Sequence, residues 1–173
     1  MGKLLLATAA VVAGTVLTAP VAAAGFGSSA DPGFWDGFYL GILGGAGASL
    51  SAPDGDFQNL GIAAGAGATT NEGFYFGAEA FFAAETFEGS DPYLWLEGDG
   101  RVGLVVDERV LVFGSGGIAY DADAEAIALT GGGGAEFAVT DDLSMRGQYA
   151  IQYYPNGLGT FHQGLVGLFW RLQ

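Results

Sequence analysis

Residues 131–154 read GGGGAEFAVTDDLSMRGQYAIQYY, and the alternation in this stretch decides the fold. Side chains point to opposite faces along a β-strand with a period of two. The stretch divides into two strands joined at Thr140, Asp141 and Asp142. On the first strand, Ala135, Phe137 and Val139 share one face, and Gly134, Glu136 and Ala138 share the other. On the second, Leu143, Met145, Tyr149, Ile151 and Tyr153 share one face, opposite Arg146, Gln148 and Gln152. Each strand therefore has an oily face and a small-or-polar face. With the turn centred near Asp141, Glu136 stands directly across from Arg146. Opposite charges at a paired position stabilise a hairpin. A soluble sandwich would present its polar face to bulk water, but here the polar faces carry few, specific charges. The expectation is a closed barrel in lipid, oily face outward, with Glu136–Arg146 as an ion pair in the lumen.

The rest of the chain repeats the pattern. The expected strands are 35–49, 59–70, 74–87, 93–105, 110–120, the two of the hairpin, and 163–172. Outward positions include Phe38, Leu40 and Ile42 on the first and Phe74, Phe76 and Phe82 on the third. Inward positions include Tyr75, Glu79, Phe81 and Glu85 on the third. On the fourth they are Trp95, Glu97, Asp99 and Arg101, and on the eighth Phe169 and Arg171. A turn near Ser90 would set Glu79 opposite Arg101. The candidate site residues are thus a structural set of interior charges: Glu79, Arg101, Glu97, Asp99, Glu136 and Arg146. The fold class is all-β, an eight-stranded antiparallel up-and-down transmembrane barrel. Strands of this length suffice to cross a bilayer, and an even count with short turns on one side suits bacterial barrels. The short turns follow strands two, four and six. Outward aromatics such as Phe74, Tyr120, Phe137, Tyr153 and Trp170 fall near strand ends, where girdles sit.

Composition narrows the function. Residues 1–24 carry Lys3, an apolar run and a small-residue end, and read as a secretory signal cut after Ala24. Residues 25–34 read as a periplasmic lead-in and 35–173 as the barrel. Without the signal, 19 acids face four arginines, a formal charge of −15, and no lysine remains. Nucleic acid is a poor partner for such a chain. There is no cysteine and only one histidine, so thiolate zinc sites are excluded and no metal or cofactor site is expected. Gly114, Gly116 and Ala119 spell GxGxxA, but no helix follows the strand, so nucleotide binding is not expected. These glycines and Gly131–Gly134 are read as close strand contacts and a tapered interior. Asp54, Asp56, Glu88, Asp91, Asp121, Asp123 and Glu125 read as an acidic outer rim, able to aid solubility or to bridge to lipopolysaccharide through divalent cations. A lipocalin-like soluble barrel would need its apolar faces inward.

Several segments resemble the small outer-membrane β-barrel proteins of alphaproteobacteria, the Omp25/Omp31-like group. They are FWDGFYLGILGG, GDGRVGLVVDERVLVFGSGGIAY and the 132–154 hairpin. Their W-x-G-x-Y-x-G opening matches Trp35, Gly37, Tyr39 and Gly41. Their R-x-G matches Arg101 and Gly103, and the later hairpin motifs match Gly134, Glu136, Arg146 and Tyr149. The chain departs from the pattern in having Leu172 and Gln173 in place of a terminal aromatic, and Gln148 in place of a glutamate. The resemblance implies a structural barrel in the outer membrane of a Gram-negative bacterium. It would contribute to envelope integrity, with outer-membrane lipid, lipopolysaccharide and the barrel-assembly machinery as partners. Two other classes stay open: a narrow cation or solute channel, in which Glu79, Glu97 and Asp99 would set selectivity, and a lipid A-modifying enzyme built on His162. Barrel enzymes of the latter kind show a His and a Ser two apart, and here Gly164 holds the second place.

Overall fold

The computed structural model describes residues 33–49, 55–87 and 90–172. The expected signal sequence and most of the expected lead-in lie outside them. Eight antiparallel strands close into one barrel: β1 (Gly37–Ser49), β2 (Phe57–Thr69), β3 (Phe74–Phe87), β4 (Tyr93–Asp107), β5 (Val110–Asp121), β6 (Ala126–Ala138), β7 (Leu143–Tyr154) and β8 (Gly159–Leu172). Every strand pairs with its sequence neighbours, and β8 pairs with β1 to close the wall. A closed wall leaves no strand edge unpaired, which hydrocarbon demands.

The stagger of the barrel follows from the pairing. Tyr39 pairs with Gly65, and the row continues through Glu79, Asp99, Gly117, Thr130, Gln152 and Phe161. Phe161 pairs back onto β1 at Ser49, ten residues beyond the start. Eight strands with this kind of stagger tilt steeply and leave a lumen that side chains nearly fill.

The faces divide as the alternation requires. Phe38, Leu40, Ile42, Phe74, Phe76 and Phe82 are exposed on the outside, as are Met145, Tyr149, Val166, Leu168 and Trp170. So large a contiguous apolar surface is not a water-facing one. Inward positions are buried, and they include Glu79, Glu136, Arg101, Arg146 and Arg171. The short turns follow β2, β4 and β6, on the side where the chain enters.

Four details differ from the expectation. First, Glu79 pairs with Asp99, and Arg101 pairs with Gly77. The β3–β4 hairpin centres earlier than Ser90, because Ser90 N–H and side chain fold back onto Phe87. A slip of two residues preserves the face, so Glu79 and Arg101 still meet, diagonally. Second, β2 begins at Phe57, inside the stretch expected to be a loop, and Phe57 points inward. Third, Asp121 belongs to the interior of β5 rather than to the acidic rim. It accepts from Tyr154 Oη at 2.9 Å and from the Asp123 and Ala124 N–H groups.

Fourth, the glycines split into two kinds. Gly132 and Gly134 face inward, where an added Cβ would strike the backbone of β7. Gly114, Gly116 and Gly131 face outward. A Cβ there would find nothing nearer than 3.7 Å, so no close contact demands glycine.

Candidate functional site

The lumen is organised in three layers. At the short-turn end, Tyr39, Glu79, Arg101, Glu136, Arg146 and Arg171 form one network. Glu136 and Arg146 are direct cross-strand partners, with Arg146 Nε donating to Glu136 Oε2 at 2.9 Å. Arg146 Nη1 reaches Glu79 Oε1 at 2.7 Å. Arg101 spans Glu79 at 3.5 Å and Glu136 at 3.2 Å. Arg171 donates to Glu136 Oε1, which also accepts from Ser144 Oγ at 2.6 Å. Tyr39 Oη donates to Glu79 Oε2 at 2.9 Å and accepts from Arg101 Nη1 at 3.0 Å.

Aromatic faces clamp the guanidinium groups. Arg101 lies 3.9 Å from the Phe113 ring centre and Arg146 lies 3.7 Å from that of Phe169. Planar guanidinium groups suit both tasks at once, forked donation to carboxylates and stacking on rings. Below the network Trp35 plugs the entry end. Its indole N–H donates to the Glu108 carbonyl at 3.3 Å, and Arg171 stands 5.0 Å over its ring. Asp36 ties this plug to β2 by accepting from Thr69 N–H at 2.6 Å.

Rings cluster at the opposite end. Phe87 meets Phe57, Tyr93 and Phe161, and Phe161 also meets Phe57 and Tyr154, with centroids 5.5 to 6.1 Å apart. Two carboxylates anchor this layer from beneath: Glu85 accepts from Tyr93 Oη and Asn59, and Asp121 accepts from Tyr154 Oη.

The middle layer is different. Glu97 accepts from Trp95 Nε1 at 2.9 Å and Asp99 accepts from Thr130 Oγ1 at 2.6 Å. Neither has an arginine within ion-pair distance among the described residues. They were expected among the interior ion pairs; the register explains the difference. Asp99 sits across from Glu79, whose oxygens are already committed to Arg146, Arg101 and Tyr39. Arg101 itself points away from this layer, into the network below. Conversely Arg171 joins the network although hairpin reasoning could not place it, since its contact with Glu136 depends on β8 packing beside β7.

His162 faces outward on β8. Its Nδ1 meets the hydroxyl of Tyr149, and it pairs with Ile151 and Ala48. Gly164, two residues on, brings no nucleophile. Among the described residues no group of three or more His, Asp, Glu or Cys side chains is placed to hold a metal.

No protein-family model matches this chain, and no curated protein matches it. Solved structures do. The attachment invasion locus protein Ail of Yersinia pestis aligns with a TM-score of 0.56 at 12% identity, over 79% of this chain and 99% of that one. Neisserial surface protein A aligns with a TM-score of 0.51 at 15% identity, over 79% and 98%. A de novo designed transmembrane β-barrel aligns with a TM-score of 0.52 at 17% identity, over 79% and 97%. At such identities the likeness concerns the fold. A designed barrel sharing it underlines that fold and activity are separate questions.

Proposed function

We propose that this chain is a structural protein of a Gram-negative outer membrane, non-catalytic, contributing to envelope integrity as the resemblance to the Omp25/Omp31-like group implies. The observation that carries the reading is an apolar outer face around a lumen whose described residues are joined by an arginine–carboxylate network at one end and by ring contacts at the other. Such an object is held in lipid by its belt and braced from within. Its mechanism is mechanical: the oily belt holds it in the bilayer, and the arginine–carboxylate network holds the wall shut. Outer-membrane lipid and lipopolysaccharide are the partners that such a belt meets, and the barrel-assembly machinery is the insertion route.

Planar-bilayer recording tests the reading. The folded protein is expected to give no discrete current steps, and a deletion strain is expected to become more sensitive to detergent. Steady single-channel steps would instead favour the cation channel, which draws support from the acidic middle layer. The enzyme reading draws little support, because His162 has a tyrosine beside it and a glycine where a nucleophile would stand. Unchanged lipid A mass spectra with and without the protein are the expected result.

A further inference from the structure

The chain holds three asparagines, in three different settings. Asn59 is buried inside β2, donates to Glu85 and Gln163, and is followed by Leu60. Asn71 is exposed in the β2–β3 turn and is followed by Glu72. Asn156 is exposed in the β7–β8 turn and is followed by Gly157. The last pairing has a chemistry of its own. An asparagine side chain can close a five-membered ring on the backbone nitrogen of the next residue. A side chain on that residue obstructs the closure, and glycine has none.

The turn leaves this closure unobstructed. Pro155 opens it, and Gly157 N–H donates to the Tyr154 carbonyl at 3.2 Å. The β7–β8 ladder ends at the Tyr154–Gly159 pair, so Asn156 and Gly157 lie beyond it. The nitrogen that must attack is therefore held by one bond in an exposed turn rather than by a neighbouring strand. Gly157 has a φ of 91°, and a Cβ built on it would meet nothing within 4 Å, so the backbone has room to swing. The side chain already leans over the backbone that follows it: Asn156 Oδ1 accepts from Leu158 N–H at 3.3 Å. The oxygen that turns negative when the amide carbon is attacked thus has a donor in place.

We propose that Asn156 is a site of spontaneous covalent modification, converting through a succinimide shared with Gly157 into aspartate and isoaspartate. The Gly157 nitrogen gives its proton to water or hydroxide and attacks Asn156 Cγ, forming the new C–N bond. The bond from Cγ to the side-chain nitrogen breaks, and that nitrogen takes up a proton and leaves as ammonia. Water then opens the ring. Attack at the former side-chain carbonyl gives aspartate, and attack at the main-chain carbonyl gives isoaspartate, with the backbone rerouted through Cβ and Cγ. Nothing is oxidised or reduced, and water is the co-reactant.

Either product places a negative charge on a turn, 155–158, that carries none. Isoaspartate also lengthens the backbone just before the outermost β7–β8 pair, where Tyr154 packs on Phe161 with ring centres 5.7 Å apart. The site lies in a turn beyond the strands, so it holds whichever role the barrel plays in the membrane.

The test incubates the folded chain in detergent at mildly alkaline pH. Peptide mass spectrometry reads the mass gain of amide-to-acid conversion at each asparagine, and an isoaspartyl-specific methyltransferase assays the isolated Asn156 peptide. Asn156 is expected to convert at least about tenfold faster than Asn71, with isoaspartate present in its peptide. Gly157→Ala should slow the conversion roughly tenfold or more. Alanine is strained at that φ, so Asn156→Gln supplies a second variant. It keeps Gly157 but sets the amide one carbon too far for the five-membered ring, and its peptide should carry no isoaspartate. Heat-modifiable gel migration checks that both variants fold. The same incubation in urea measures what the fold permits, and rates for the folded and unfolded chains are expected to agree within about tenfold. Conversion confined to the unfolded chain would overturn the proposal. So would equal conversion at Asn71, or isoaspartate persisting in the Asn156→Gln peptide.

Discussion

Glu136 and Arg146 face each other directly across the β6–β7 hairpin, and the same carboxylate also accepts from Arg101 and Arg171. One side chain thus joins arginines from three different strands. Breaking a buried pair by removing one partner costs about 3–5 kcal/mol, because the remaining charges stay buried. Glu136→Ala is expected to lower stability by about that amount. Glu79→Ala, which frees two arginines rather than three, should cost less. Urea unfolding in detergent, followed by gel migration, measures both.

Trp35 gives a second prediction. Its ring is 2% exposed and packs against Phe34 and beneath Arg171. Trp35→Ala should cost about 3–5 kcal/mol, the usual penalty for deleting a buried indole. Trp35→Phe keeps a ring under the guanidinium but loses the bond to Glu108, and should cost about 1 kcal/mol. Equal losses for the two would show that stacking on Arg171 contributes nothing.

The lipid face can be checked by depth. Val166 lies midway along β8 and is 69% exposed, whereas Ile127 lies at the outer end of β6. Val166→Arg should destabilise the folded protein by about 2–4 kcal/mol and Ile127→Arg by about 0–1 kcal/mol. Folding titrations into lipid vesicles read the difference. Indifference at Val166 would mean that this wall does not meet hydrocarbon.

Two glycines make a matched pair. At Gly41 an added Cβ would fall 2.5 Å from Phe169 Cε1 and 2.8 Å from the Leu168 carbonyl. At Gly147 it would meet nothing within 4 Å. Gly41→Ala should cost about 1–3 kcal/mol through overpacking. Gly147→Ala should be neutral or slightly stabilising, since it only restricts the unfolded chain. The same unfolding assay compares them.

Much of this architecture was legible in the sequence, for a physical reason. A wall one residue thick, lipid on one side and packed lumen on the other, enforces strict alternation, and alternation is a one-dimensional signal. The β6–β7 register was readable because its turn is short and its charges sit on one face. The β3–β4 register was not, because the Ser90 side chain and backbone tighten that loop in a way no alternation records. Phe57 was hidden by the Pro53-Asp54-Gly55 turn signals just before it.

The functional layer was less legible than the wall. Glu97 and Asp99 read as inward, but their partners depend on which neighbour sits across the lumen. That is fixed by the stagger of all eight strands together. Arg171 became meaningful for the same reason, only once β8 lay between β7 and β1.

The ten-residue offset has a kinetic consequence. Each hairpin forms from near neighbours, but the seam joins Tyr39 to Arg171, the longest loop in the chain to close. That seam can form only if the seven earlier registers add up to the correct offset, so an error anywhere leaves the two end strands mismatched. A two-residue slip in any one hairpin would therefore surface at the seam, where it would carry Arg171 away from Tyr39 and change the girth of the whole cylinder.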